Sequence, residues 1–136
     1  MQISKTIEIQ ADPATVWNAL TNPEETKKYF FGCEAISDWN IGSTLDYQFE
    51  FNGRKGTAVT GEIRAIEPAK FMEVTCRGVE AGVEGDETVA TYTLTPTEGG
   101  TQLAVTQGEF TDQGKYDQTS SGWDLVLGGL KTLVEG

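Results

Sequence analysis

The sequence predicts an α+β protein, with an antiparallel sheet of about six or seven strands curled around a long C-terminal helix and two short helices after the first strand. Three features of the 136-residue chain carry that expectation. A strand-like run over residues 3–10 meets a capped helix at Asp12-Pro13. Between residues 45 and 110, apolar side chains recur at every second position in segments separated by turn residues. From residue 119 to 135 they recur at helical spacing. A sheet wrapped around a helix in this way can enclose an apolar cavity.

The elements follow in order. In the first strand, residues 3–10, Ile3, Ile7 and Ile9 fall on one face and Glu8 on the other. Asp12 is a good N-cap, and Pro13 sits where a missing N–H costs nothing. Val16, Trp17 and Leu20 give a short helix its buried stripe. Packing of that helix on the sheet accounts for Trp17 without any function. Asn22-Pro23 ends the helix, because the residue before proline is pushed out of helical geometry. Pro23 opens a second helix through Phe30, with acidic residues first and lysines later, as the helix dipole favours.

Past Gly32 the period falls to two. Leu45, Tyr47, Phe49 and Phe51 alternate with Asp46, Gln48 and Glu50, and Asn52-Gly53 is a favoured tight-turn pair. Further strands are expected over residues 56–66, 71–77, 88–94 and 102–110. Residues 78–86 read as a glycine- and acid-rich loop, and residues 110–118 as a polar connector. Neighbours joined by short turns should pair antiparallel. In the final helix, residues 119–135, Trp123, Val126, Leu127, Leu130, Leu133 and Val134 share a side. Gly128-Gly129 in its middle costs roughly 1 kcal/mol per residue relative to alanine. Such a pair signals close backbone approach to the sheet, or room left for something else.

Composition narrows the chemistry. One domain over residues 1–136 is expected from length, and it is large enough to bury its own core. No apolar run approaches the roughly 20 residues of a membrane span, and residues 1–5 lack a secretory pattern, so a cytoplasmic location is expected. Cys33 and Cys76 then read as reduced core thiols. The absence of histidine removes Ser-His-Asp and Cys-His nucleophile pairs and the common zinc-ligand sets. No two glycines lie two residues apart, and no phosphate loop occurs, which argues against nucleotide chemistry. Glu84-Gly85-Asp86-Glu87 lacks the spacing of a calcium-binding hand and reads as an exposed, mobile turn. No cofactor, metal or catalytic constellation is therefore expected. Net charge is -11, and between Gly78 and Asp124 Lys115 is the one basic residue among nine acidic ones. Such a surface repels nucleic acid and anionic membranes; it serves as a solubilising coat or as a patch for a basic protein partner.

Tyr47, Phe49 and Phe51 on one strand, opposite Trp123, Leu127 and Leu130 on the last helix, would line an apolar cleft. Side chains fill such a cleft themselves, or a small ligand does, and the pattern alone leaves both open. Tyr92, Arg64, Arg77 and Gln107 are polar groups able to orient a ligand, although the two arginines more naturally point to solvent.

Four motifs carry a resemblance to a known family. Residues 11–24, Ala-Asp-Pro-Ala-Thr-Val-Trp-Asn-Ala-Leu-Thr-Asn-Pro-Glu, are similar to the opening motif of the START-like (SRPBCC) superfamily. They most resemble the branch of homologues of the activator of the heat-shock-protein-90 ATPase. Gly61-Glu62-Ile63 running to Glu67-Pro68, Gly99-Gly100-Thr101-Gln102-Leu103, and Gly122-Trp123 with Leu127, Leu130 and Leu133 fit the rest of its pattern in order. The resemblance implies a helix-grip fold with a cavity between sheet and last helix. Many relatives carry histidine where this chain has Gln107, and an aromatic residue where it has Cys76. A relative's ligand is therefore not transferable, and the superfamily spans carriers, cyclases, hydroxylase domains and co-chaperone modules.

Three functions are expected in descending order. The first is non-enzymatic binding of a small hydrophobic or amphipathic molecule by Tyr47, Phe49, Phe51, Tyr92, Gln107, Trp123, Leu127 and Leu130. The second is a co-chaperone-like protein-interaction module. The third is a cyclase or dehydratase using Tyr92 or a buried carboxylate.

Overall fold

A computed structural model describes residues 1–80 and 83–135. The elements are β1 (Ile3–Ile9), α1 (Pro13–Thr21), α2 (Pro23–Tyr29), β2 (Glu34–Ser37), β3 (Thr44–Phe51), β4 (Arg54–Glu67), β5 (Phe71–Glu80), β6 (Val83–Thr97), β7 (Gly100–Gly108) and α3 (Gln113–Glu135). The strands form one seven-stranded sheet in the order β1-β7-β6-β5-β4-β3-β2, antiparallel throughout. Among the described residues one long-range crossover brings β1 beside β7, so the first strand forms an edge of the sheet next to the last.

Local chemistry explains the two short helices. The Asp12 carboxylate accepts from the Thr15 N–H at 2.9 Å and caps α1, while Asn22 ends α1 and caps α2 by accepting from the Glu24 N–H at 3.0 Å. Val16, Ala19 and Leu20 are buried, and Trp17 packs half-buried against the same core. Thr26, fully buried, receives the Ala35 N–H on its hydroxyl at 3.0 Å. That bond pins β2, a four-residue edge strand whose pattern is too short to read from sequence.

Three expectations need correction. The long helix starts at Gln113, not Thr119, because Asp112 caps it: its carboxylate accepts from the Lys115 N–H at 3.1 Å. Much of the expected polar connector is therefore the exposed first part of α3. Residues 78–86 are mostly ribbon: β5 runs to Glu80 and β6 begins at Val83, with Arg77 opposite Glu87 and Val79 opposite Glu84. Residues 84–87 thus belong to a strand, not a free turn, and residues 81–82 of that expected loop lie outside the described residues. Glycines and acids hid this extension because its sequence shows no apolar alternation. Finally, Gly129 approaches α2 and not the sheet: a Cβ there would lie 2.9 Å from the Tyr29 Cβ, whereas one on Gly128 meets nothing within 4 Å.

The sheet divides at one level. β4 and β5 pair from Glu67↔Phe71 to Val59↔Gly78 and no further. Beyond that pair the β3–β4 and β5–β6 hairpins continue as separate ribbons, each with a register shift at the division. On β4 the extra residue is Ala58, since Tyr47 faces Val59 and Gln48 faces Thr57. On β6 two residues, Gly85 and Asp86, pass one on β5. Bulges bend and twist a strand locally, and here two of them open the sheet under the N-terminal half of α3.

Candidate functional site

Beneath the C-terminal half of α3 the interior is solid. Val126, Leu127 and Leu130 pack on Leu20, Leu103 and Val105, and the space left among them is about 10 Å³, room for one water molecule at most. Beneath the N-terminal half lies a solvent-open chamber of about 690 Å³. Its inner wall is Phe30, Tyr47, Tyr92 and Trp123, and its sides are Cys33, Cys76, Thr88 and Gln107. Ala58, Val59, Gly78 and Val79 from the divided sheet form one lip, and Lys115, Thr119 and Gly122 of α3 form the other.

Aromatic packing fixes the inner wall. Phe30 stacks on Tyr47 with ring centres 4.4 Å apart and planes at 14°, and meets Trp123 edge-on at 6.4 Å. Tyr92 meets the other side of Trp123 at 5.8 Å, again edge-on. Phe31 follows in a left-handed turn with φ 52°, relieved by Gly32 at φ 75°. The turn throws Phe31 outward, 61% exposed, onto the rim. A Cβ on Gly122 would come within 3.7 Å of that ring, so the absent side chain leaves Phe31 room over the helix.

A hydrogen-bond relay ties helix to sheet along one side. The Trp123 Nε1–H donates to Gln107 Oε1 at 2.8 Å, Gln107 Nε2 donates to the Thr88 hydroxyl at 3.0 Å, and Thr88 donates to the Cys76 carbonyl at 3.4 Å. Both ends of the Gln107 amide are thereby oriented. An imidazole at this position would offer one donor and one acceptor in a different geometry, so the glutamine sets its own polar pattern.

Burial keeps the tyrosines and cysteines of the chamber's inner wall and sides neutral. The Tyr47 and Tyr92 phenols are adjacent and both are pushed far above the ordinary tyrosine range, first by loss of solvation. The Cys76 thiol is pushed up to about 12 by burial and by the Glu87 charge, and the Cys33 thiol is raised by burial. These groups are hydrogen-bond donors at neutral pH and poor proton acceptors. Both cysteines are free thiols. Among the described residues no group of three or more His, Cys, Asp or Glu side chains is arranged to hold a metal ion, and no helix is long and apolar enough to cross a membrane.

Of the residues singled out in the sequence, Tyr47, Tyr92, Gln107 and Trp123 line the chamber together. Leu127 and Leu130 line the small void beneath it with Tyr47, Tyr92 and Trp123, so they are packed core. Phe49 and Phe51 lie outside both spaces, 40% and 70% exposed, because the β3–β4 hairpin carries them past the division of the sheet. The Phe49 ring covers the backbone of Gly56 instead. Arg64 is exposed beside Glu62, and the Arg77 guanidinium donates to the Gly85 carbonyl at 3.0 Å and to Glu87 at 3.4 Å. Neither arginine lines the chamber. Cys76, where the family resemblance expects an aromatic residue, lines the chamber too, and sequence reasoning missed Phe30, Phe31, Cys33, Thr88 and Phe110; the aromatic run Tyr29-Phe30-Phe31 before Gly32 was the available signal for the first two.

A curved antiparallel sheet gripping a long terminal helix, with two short helices after the first strand and a chamber beneath that helix, defines a START-like helix-grip protein. Solved structures agree. Protein CV1439 from Chromobacterium violaceum is similar with a TM-score of 0.82 at 24% identity, covering 99% of this chain and 97% of that one. ChR145 from Cytophaga hutchinsonii is similar with a TM-score of 0.79 at 27% identity, over 99% and 94% of the two chains. The Aha1 dimer from Colwellia psychrerythraea gives a TM-score of 0.78 at 23% identity, over 99% and 96%. Comparison with curated proteins finds no match. The family model described as "Activator of Hsp90 ATPase homolog 1-like protein" matches residues 10–135, and the chain belongs to that family.

Proposed function

We propose that the protein binds a small apolar or amphipathic molecule in the chamber beneath the N-terminal half of α3. The observation that carries this reading is the chamber itself. Its volume of about 690 Å³ sits within the usual range for small-molecule sites. Its inner wall and sides combine four aromatic side chains with a few neutral, oriented polar groups, as such sites usually do. Filling it with side chains would have stabilised the fold, since each large apolar side chain fully buried is worth about 1.5–3 kcal/mol. Native mass spectrometry of freshly purified protein tests the reading. A co-purified molecule lost on denaturation, or saturable uptake of a neutral apolar dye, supports it. A bare chain that takes up no such dye contradicts it.

A second reading, a protein-docking module, is favoured by the charge of the C-terminal half and by the family's name. The Colwellia psychrerythraea relative was solved as a dimer, so a helix-grip protein of this kind is able to present a protein interface. Recovery of a basic partner that is insensitive to salt would remove the electrostatic basis of this reading. As for an enzyme, Tyr92 and Cys76 are displaced away from neutrality, which suits hydrogen bonding to a guest better than proton transfer near pH 7.

A further inference from the structure

The inner wall of the chamber carries no formal charge: its side chains there are phenyl, phenol, indole, thiol, hydroxyl and carboxamide. An amphiphile entering it would leave any charged head at the rim, because burying an ion without a partner is costly. The rim residues therefore decide which head group is accepted. The charged residues among the described lining are Asp86, Glu109, Asp112 and Lys115. Glu109 is engaged by the Met1 ammonium, which leaves Asp86 and Asp112 facing a single lysine.

The surroundings add to that balance. From Gly78 to Asp124 the chain carries nine acidic residues against Lys115. Arg77, the nearest cation before this stretch, is held by Glu87 and the Gly85 carbonyl. Arg54 and Lys55 sit at the tip of the β3–β4 hairpin, four and three residues before Ala58, or about 10–13 Å away along the strand. That exceeds the Debye length of roughly 8 Å at physiological salt. Phe31 on the rim also offers an aromatic face, which attracts cations.

We propose that the chamber selects amphiphiles with a cationic head group and turns away those with an anionic one. This rests on the chamber being a binding site, so the test separates the two claims. A neutral fluorescent dye, N-phenylnaphthylamine, is bound first and then displaced by dodecylamine, dodecanol or dodecanoate below their micelle concentrations. At about 0.15 M salt, where Arg54 and Lys55 are screened, dodecylamine is expected to displace the dye at least about threefold more effectively than dodecanoate, with dodecanol between them. The preference should shrink toward equality at about 0.5 M salt. In Asp86→Asn with Asp112→Asn it should fall by about half or more, asparagine at 112 preserving the helix cap. Lys115→Gln should widen it.

Failure of the dye to bind, or of all three compounds to displace it, would overturn the binding reading and this proposal together. Dye binding with dodecanoate equal to or better than dodecylamine would overturn the charge selection alone. A preference that survives high salt, or that both charge variants leave unchanged, would also overturn it.

Discussion

The two halves of α3 cover one sheet and do opposite things. The C-terminal half presents Val126, Leu127 and Leu130 to a continuous ladder of strands, and the space between closes to about 10 Å³. The N-terminal half presents Lys115, Thr119 and Gly122 to a sheet that has divided beyond Val59↔Gly78, and about 690 Å³ stays open. Trp123 and Val126 stand at the boundary and line both spaces, as do Phe30, Tyr47 and Tyr92 facing them. Helix length does not separate the halves, and neither does strand number. Side-chain size on one surface and two bulges on the other do so.

The largest effect expected from breaking this contrast is in the filled half. Leu130→Ala, at a fully buried position, should lower unfolding free energy by about 2–5 kcal/mol in urea titration. Gly122→Leu on the open half removes nothing and places bulk at the chamber's lip, so stability should hold within about 1 kcal/mol.

Alkaline pH should act through the aromatic wall that the two halves share, with Tyr29 adding to it from the closed half. Tyr47 and Tyr92 have folded pKa values raised above their unfolded value of 10.0, and Cys76 is raised from 9.0 to about 12. Each therefore contributes stability that is complete below its unfolded pKa and is lost as pH rises through the folded one. Urea midpoints should stay flat with respect to these groups up to pH 9 and fall steadily above it. Removing Cys76 as Cys76→Ser should blunt the onset.

At the boundary, Gln107→Leu strands the Trp123 indole N–H and takes away the donor to the Thr88 hydroxyl, which keeps its bond to the Cys76 carbonyl, and should cost about 1–3 kcal/mol by the same titration. The smallest effect compares two neighbours on one helix. Gly128→Ala meets open space and should stabilise by up to about 1 kcal/mol, whereas Gly129→Ala drives a methyl to within 2.9 Å of Tyr29 and should lose that gain. A thermal melt that raised both variants equally would mean α2 yields there.

The sequence carried most of the fold because it is written in strong periodic signals. Asp12-Pro13 capping, the alternation from Leu45 to Phe51, and the apolar stripe from Trp123 to Leu130 each name an element locally. What escaped lacks a local signature. The four residues of β2 are held by a buried hydroxyl on Thr26, far away in the pattern. The start of α3 is mostly polar, with Tyr116 alone packed on the core, and the Asp112 cap marks it. For the site, residues near the middle of long elements were legible, as Tyr47, Tyr92, Gln107 and Trp123 all line the chamber. Phe49 and Phe51 continue the same alternation as Tyr47, but alternation says which face a side chain takes and not where the sheet ends. The bulge at Ala58 and the end of β4–β5 pairing put both rings outside. Phe30 and Phe31 sit in a turn, where periodicity assigns no direction at all.

The claim that the open half of α3 roofs a guest site is tested most directly by titrating N-phenylnaphthylamine into the protein and into Gly122→Leu, with tryptophan-to-dye energy transfer as the readout. Saturable binding of one dye per chain, with transfer that drops sharply in the filled variant while its melting temperature holds, is the expected result. Equal dye binding by both proteins, or none by either, would contradict it.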